Sequence, residues 1–386
     1  MSRARTRVLH VTTRLNVGGI ATQVFGYCDG LRKLGYDVEL VTGHIEAHEE
    51  DATAFLGTPP CPTHMVRELG RAVDALSDLR ALRQTRQLIR RFRPDVVHTH
   101  AAKAGTIGRL AAVSAGVPVR VHSFHGHVFH GYFRPAVSRG VVLFERQMAR
   151  LTSAIAVPGE SQRREMADRF RIAPERKVVV TPYGVDLATY DRRHDRAAMR
   201  AAFGVTARYA IGAIGRMAPV KNQALLVDAF AALRARRDDV QLLLVGDGEC
   251  RDALTQQEGR LGLQGAVIFR TWEPDLSRVY AALDVLAISS VNEGMPVAAL
   301  EAMASGVAVV STAVGGVVDL ITDGETGWLV PSGDAPALTA ALDASLEDAA
   351  RAAVVDRAAA LVRDRHSFDR ASEALAAVYD RLLSNR

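Results

Sequence analysis

Short β-branched runs alternate with stretches of helical period along almost the whole chain, and the series starts twice. In the first half, residues 8–11, 38–41, 96–98, 117–121, 154–157 and 178–181 are apolar runs of strand length. Between them, residues 20–34, 72–92, 106–114, 139–149 and 162–170 repeat apolar positions every three to four residues and predict helices. The second half repeats the scheme, with strands expected at 209–214, 240–245, 266–269, 285–289 and 307–311 and helices at 223–233, 251–261 and 297–304. Strands alternating with helices indicate parallel α/β sheets. A series that restarts predicts two doubly wound, Rossmann-like domains. Their expected bounds are 1–190 and 191–365, joined by a polar, Arg- and Asp-rich linker at 184–208. Three helices, 336–346, 350–362 and 368–383, finish the chain.

Composition narrows the class. The 386 residues are long for one hydrophobic core and suit two. Three scattered cysteines, Cys28, Cys61 and Cys250, form no CxxC pair, which argues against a disulfide framework or zinc ribbon and fits a reducing cytoplasm. The apolar run at 8–11 is too short for a signal-peptide core. The most apolar long stretch, 294–318, contains Pro296 and Glu301, and an unpaired carboxylate is expensive in a bilayer, so a buried helix, strand and turn are expected there. Charge is uneven: 27 Lys and Arg against 17 Asp and Glu through Tyr190, then 21 against 26. A basic first half suits an anionic partner, such as a lipid surface or phosphorylated acceptor, with no nucleic acid expected; a solvated Arg-rich surface is the plainer reading.

In open α/β sheets ligands gather at the carboxyl ends of the strands, so the strand-to-helix loops carry the chemistry. After the first strand, Gly18-Gly19 lets backbone amides approach a phosphate at a helix N-terminus, or simply turns the chain. After the run at 117–121, six of the twelve histidines fall between His98 and His130. Geometry counts against a metal reading: His125 and His127 would point to opposite faces if extended, and no carboxylate lies among them. A single imidazole, His125, facing a donor sugar is more economical. After the first strand of the second half, Arg216 and Lys221 flank a turn before a helix, a setting for a diphosphate. Gly215 to Lys221 is not a P-loop. Gly246-Asp247 follows the next strand and is placed to wrap a nucleobase. The most specific segment is Glu293-Gly294-Met295-Pro296 through Glu301. Pro296 suits the first turn of a helix, Glu293 the loop above the strand end, and Glu301 leans back toward it. A carboxylate matches the cis-diol of a ribose. The turn Gly315-Gly316 follows.

In this order and on these loops, the motifs resemble those of the family-4 glycosyltransferases of the GT-B fold, in which two Rossmann-like domains face each other across a cleft. The resemblance runs through nearly the whole chain. It implies that Arg216 and Lys221 hold the donor diphosphate as it leaves, that Glu301 holds the ribose and that Glu293 reaches the transferred sugar. It implies that His125 positions or polarises that sugar near its reacting carbon and that the amides at Gly18-Gly19 face the diphosphate or the acceptor; Gly18, Gly19, Gly294, Met295 and Pro296 are expected among the donor-binding residues. Retention of anomeric configuration, a UDP- or GDP-sugar co-substrate and no metal or other cofactor follow from it too. So does packing of the last helix, 366–386, on the first domain. The segment Phe269-Arg270-Thr271-Trp272 departs from the family, which often has Phe followed closely by Gly.

The acceptor is left open, with a lipid-linked saccharide or cell-surface polysaccharide precursor as the expectation. Arg80, Arg83, Arg86, Arg90 and Arg91, with Arg134 and Arg139 beside the aromatic loop 129–133, form a candidate contact with the inner face of an anionic membrane. Two rivals remain at this stage. A nucleotide-sugar epimerase of the same shape would yield an epimer of the donor instead of free nucleoside diphosphate. A non-catalytic sugar-binding protein leaves Arg216, Lys221, Glu293 and Glu301 unexplained.

Overall fold

The computed structural model describes residues 5–46, 49–70, 74–126, 129, 134–191 and 194–385. It divides into two compact units, Met1–Gly184 with Phe368–Arg386, and Val185–Ser367. Each is a parallel sheet covered by helices.

The first sheet contains β1 (Arg7–Thr12), β2 (Asp37–Thr42), β3 (Thr63–Met65), β4 (Val96–His100), β5 (Val119–Ser123), β6 (Ala154–Val157) and β7 (Val178–Val180), in the spatial order β3-β2-β1-β4-β5-β6-β7. The second contains β8 (Tyr209–Ile214), β9 (Val240–Val245), β10 (Val267–Arg270), β11 (Val285–Ile288), β12 (Ala308–Thr312) and β13 (Trp328–Val330), ordered β10-β9-β8-β11-β12-β13. Strand order reverses between β1 and β4 in one and between β8 and β11 in the other. Those are the points where crevices open at the strand ends. The central strands are buried on both faces, which is why β9 reads Val-Gln-Leu-Leu-Leu-Val without alternation.

Two strands and several short helices, among them Thr53–Leu56, Arg196–Phe203 and Val317–Leu320, escape the sequence reading. β3 and β13 are three-residue edges with no β-branched apolar run to detect, and the helix Leu276–Ala282 is barely two turns. The helix expected at 162–170 begins as Glu160–Arg164 and continues as a π-helical turn, Glu165–Arg169. Of the helix expected at 72–92, Ala75–Phe92 is formed, while residues 72 and 73 lie outside the described residues.

The linker at 184–208 is corrected: it is folded into the second unit. Its aspartates are helix caps, Asp186 accepting from the Ala188 amide and Asp195 from those of Ala197 and Ala198. The first boundary therefore falls at Gly184 and not at 190, because the helix Leu187–Tyr190 packs Tyr190 on Tyr280, ring centroids 5.7 Å apart. The second moves from 365 to Ser367, because the His366 carbonyl accepts a 2.7 Å bond from the Val185 amide.

The last helix, Phe368–Ser384, belongs to the first unit and lies against Gly19–Lys33. Only glycine permits the approach: a Cβ on Gly26 would enter the Phe368 ring and one on Gly30 would meet Ser372 Oγ. Tyr379, fully buried, reaches from this helix to His98 on β4.

Candidate functional site

At the carboxyl end of the second sheet, the loops after β8 and β11 flank the point of reversal and are tied together. The Val291 amide donates to the Val220 carbonyl (2.9 Å) and Ser289 Oγ to that of Lys221 (3.0 Å). The loop after β9 backs the first: Gly246 adopts φ +136°, and a Cβ there would overlap the Gly215 carbonyl. The Met217 amide also donates to the Asp247 carbonyl at 2.8 Å. Gly315 (φ +51°) and Gly316 lie against the carbonyls of Glu293 and Gly294, and the Gly316 amide donates to the latter at 2.7 Å. Segments separated by about a hundred residues thus meet at one sheet end.

Two of the expected residues join directly. Lys221 Nζ is 2.7 Å from Glu293 Oε1, and Ser290 Oγ donates to the same oxygen at 2.5 Å. The carboxylate is nearly buried while the ammonium is about a third exposed, so the lysine presents its charge at the surface of the site. Neither helix start here, Gln223–Arg234 or Val297–Ala304, is capped by a side chain. Their first amides add partial positive charge. The arrangement suits an anion that displaces a carboxylate from a lysine.

The other expected residues have partners of their own. Arg216 does not share a partner with Lys221; its guanidinium bonds Glu249 at 2.9 Å, both groups half-exposed. The Asp247 carboxylate turns back on its own loop and accepts from the Gly248 amide at 2.8 Å. Pro296 precedes the helix as its N-cap and is not in its first turn, and its carbonyl accepts from the Ala299 amide at 3.0 Å. Met295 is buried.

Glu301 lies deeper than its position in the sequence suggests. Only 5% of it is exposed, and Tyr280 Oη donates to Oε2 at 2.8 Å. The Tyr190 phenol also hydrogen-bonds the carboxyl group. Burial pushes its pKa up to about 7 against the opposing pull of both phenols. Neither tyrosine is announced by any spacing, since they lie 111 and 21 residues away in the chain and only tertiary packing brings them in.

In the first unit, the loop after β1 is held by bonds from the Val17 amide to the Glu50 carbonyl and from the Ala52 amide to that of Leu15, both 2.9 Å. Gly18 caps the helix Gly19–Lys33 with φ +150°, and a Cβ there would meet nothing within 4 Å. Among the described residues no side chain caps this helix either.

His125, just beyond β5, is not a free imidazole. Its Nδ1 is 2.5 Å from Tyr183 Oη and its Nε2 is 2.9 Å from His100 Nδ1. His100 Nε2 in turn is 2.9 Å from His10 Nδ1, and His98 lies between Tyr379 Oη (2.5 Å) and Ser123 Oγ (2.7 Å). Burial lowers all of these imidazoles, His125 to about 4 and His10 to about 3, so they are neutral. Ligand nitrogens of His10, His98 and His100 lie within 4.8 Å of one another, a grouping that metals favour. Both nitrogens of His98 and of His100 are already engaged, however, so an ion would displace several good hydrogen bonds. His127 and His130 lie outside the described residues. Phe129 is buried against Phe124 and Phe170 and does not extend into solvent, while residues 130–133 are not described.

Comparison with known proteins agrees with this geometry. Residues 18–184 match the Glycosyl transferase 4-like domain family and residues 208–348 match Glycosyl transferases group 1. A D-inositol 3-phosphate glycosyltransferase of Kineococcus radiotolerans is 34% identical over 76% of this chain and 72% of its own length. The UDP-Gal:alpha-D-GlcNAc-diphosphoundecaprenol alpha-1,3-galactosyltransferase of Escherichia coli is 24% identical over 86% of this chain and 85% of its own. Among solved structures, Anabaena HepE in complex with UDP and glucose superposes with a TM-score of 0.84, at 22% identity, covering 98% of this chain and all of that one. At that identity the likeness speaks for the fold.

Proposed function

Because the chain belongs to the family-4 glycosyltransferases of the GT-B fold and transfers sugar from a nucleotide-sugar donor, we propose that it uses a UDP-sugar, retains anomeric configuration and needs no metal. The observation that carries this reading is Lys221, held on Glu293 at 2.7 Å where strand order reverses in the second sheet. In transfer, the bond between the anomeric carbon and the diphosphate oxygen breaks, an acceptor oxygen bonds that carbon, and the acceptor proton leaves with the phosphate or to solvent. Negative charge grows on the diphosphate. The Lys221 ammonium and the uncapped helix amides meet it, doing the electrostatic work a metal does elsewhere. Arg216 joins by exchanging Glu249 for phosphate. Glu301 accepts the ribose hydroxyls, Glu293 accepts from a hydroxyl of the transferred sugar, and His125 is the candidate imidazole for positioning that sugar. The epimerase alternative is not favoured, since the relatives matched here are transferases.

A thermal-shift screen of UDP-glucose, UDP-galactose, UDP-N-acetylglucosamine and their GDP counterparts tests the donor. A specific donor at about a hundred times its Kd stabilises by about 2.7 kcal/mol and raises Tm visibly. The best donor should then release nucleoside diphosphate at the same rate with and without EDTA. No shift with any UDP-sugar, or activity abolished by EDTA, would remove the proposal.

For the acceptor we propose a lipid-linked saccharide at an anionic membrane. No helix among the described residues is long and apolar enough to cross one. The helix Ala75–Phe92 instead exposes Arg80, Arg83, Arg90 and Arg91, together with Leu76 and Leu79. The helix Pro135–Arg150 exposes Val137, Leu143 and Phe144 near Arg139. Apolar side chains among arginines suit a headgroup layer. The chain should float with phosphatidylglycerol liposomes at low salt and stay behind with phosphatidylcholine. Equal behaviour toward both would discard the membrane contact.

A further inference from the structure

We infer that the chain His10–His100–His125 fixes the proton of the candidate sugar-contacting imidazole on Nδ1, and that His100 is a positioning residue for glycosyl transfer. The inference rests on His125 meeting the transferred sugar.

The argument is a proton count. His10 on β1 and His100 on β4 come from the two strands between which order reverses, and His125 follows β5, the next strand over. Their rings are linked nitrogen to nitrogen: His10 Nδ1 to His100 Nε2, and His100 Nδ1 to His125 Nε2, both 2.9 Å. All three rings are neutral, so three protons serve six nitrogens. Each nitrogen-to-nitrogen link holds one proton, because two lone pairs or two N–H groups facing each other would repel. One proton remains, and it sits at one end of the row: on His10 Nε2, or on His125 Nδ1.

The far end decides. His10 is wholly buried and its Nε2 has no hydrogen-bond partner among the described residues. A buried N–H without an acceptor is among the rarest groups in folded proteins, and a bare acceptor is better tolerated. Hence His10 Nε2 is bare and His10 donates through Nδ1. His100 donates through Nδ1 in its turn, and His125 carries its proton on Nδ1, directed at Tyr183 Oη 2.5 Å away. One unpaired atom on β1 thereby sets the tautomer of a residue 115 positions along the chain.

The consequence is chemical. With Nε2 covered by His100, His125 meets a sugar only as a donor, by passing its Nδ1–H from Tyr183 to a sugar oxygen. Without His100, nothing holds the ring in that tautomer or orientation. The asparagine amide superposes on imidazole Nδ1, so His100→Asn retains the bond to His125 and loses the one to His10. His100→Leu loses both.

The test uses the full chain labelled with 15N-histidine, with His125→Gln identifying the His125 resonances by their loss. Long-range 1H–15N correlation should show His125 protonated on Nδ1 in the native chain, and a changed or mixed tautomer in His100→Leu and in His100→Asn, whose amide can donate to or accept from His125 once the link to His10 is gone. With the UDP-sugar that raises Tm most, His100→Leu should lower kcat for UDP release by about tenfold to a hundredfold at a nearly unchanged KM, the cost of a misplaced reacting group. His100→Asn, which keeps a bond to the His125 ring but no longer fixes its tautomer, should recover only part of it. A native His125 protonated on Nε2 overturns the inference, as does wild-type kcat in folded His100→Leu. If His100→Leu does not fold, the tautomer and kcat of His100→Asn decide. His125→Ala separates the two claims: if it is fully active, the sugar-contacting role itself is wrong, whereas an inactive His125→Ala beside an active His100→Leu sinks only the positioning role.

Discussion

Lys221→Ala should lower kcat about 100- to 1,000-fold, the typical loss when one preorganised donor to a developing anion is removed, while KM for the UDP-sugar moves far less. The reason lies in timing. The diphosphate carries charge in the bound donor, but its bridging oxygen gains charge only as the sugar bond breaks, and a lysine at that point favours the transition state over the ground state. The same substitution leaves Glu293, nearly buried, with only Ser290 as its hydrogen-bond donor among the bonds described above. A loss of stability of about 1–3 kcal/mol is therefore expected as well. Adding Glu293→Gln to Lys221→Ala removes the stranded charge and should restore Tm without restoring turnover. Single-turnover rates and melting curves of the two variants separate the effects. Wild-type kcat in Lys221→Ala would end the leaving-group assignment.

Affinity for the UDP-sugar should fall by about ten- to a hundredfold as pH drops below 7 and level off above it, because the ionised Glu301 carboxylate accepts the ribose hydroxyls more strongly than the protonated one. Its pKa of about 7 places the break there. The sugar ester is the right probe, since free UDP has a phosphate proton that titrates in the same range. Glu301→Gln should weaken binding about ten- to a hundredfold at pH 8, the worth of a hydrogen bond to a charged group, and flatten the profile. Stability runs the other way. The folded carboxyl binds its proton more tightly than the unfolded one, so the native state holds the extra proton between the ordinary glutamate value and about 7. That contribution is present at low pH and is lost as pH rises through about 7. Glu301→Gln should accordingly melt above the native chain at about pH 8 and beside it at about pH 5. Calorimetric titration and thermal melts measure both, and a pH-independent affinity in the native chain would rule out the ribose role.

Much of the fold is legible because it follows from local rules. Buried central strands read as unbroken apolar runs, and helices show their period, so eight of the thirteen strands need only small changes of boundary and three, β6, β8 and β9, need none. The edges β3 (Thr-His-Met) and β13 (Trp-Leu-Val) escape because, unlike the equally short Val-Val-Val of β7, they show no β-branched apolar run. The linker misleads because capping aspartates and solvated aspartates look alike until the helix that follows is seen. In the site, glycines and charged residues on strand-to-helix loops are visible from the sequence, since topology alone assigns those loops to one end of each sheet.

What the chain order by itself determined is therefore the pair of parallel sheets, the loops that serve them and the identity of Lys221, Glu293 and Glu301 as candidates. Tertiary structure alone decided which partners those groups have: Lys221 with Glu293, Arg216 with Glu249, Glu301 with Tyr280 and Tyr190, His125 with His100 and Tyr183. The physical reason is range. Secondary structure is written in hydrophobic periods a few residues long, whereas hydrogen bonding and burial at a site join groups that strand crossovers bring together from distant parts of the chain, and no local pattern records which of them will meet.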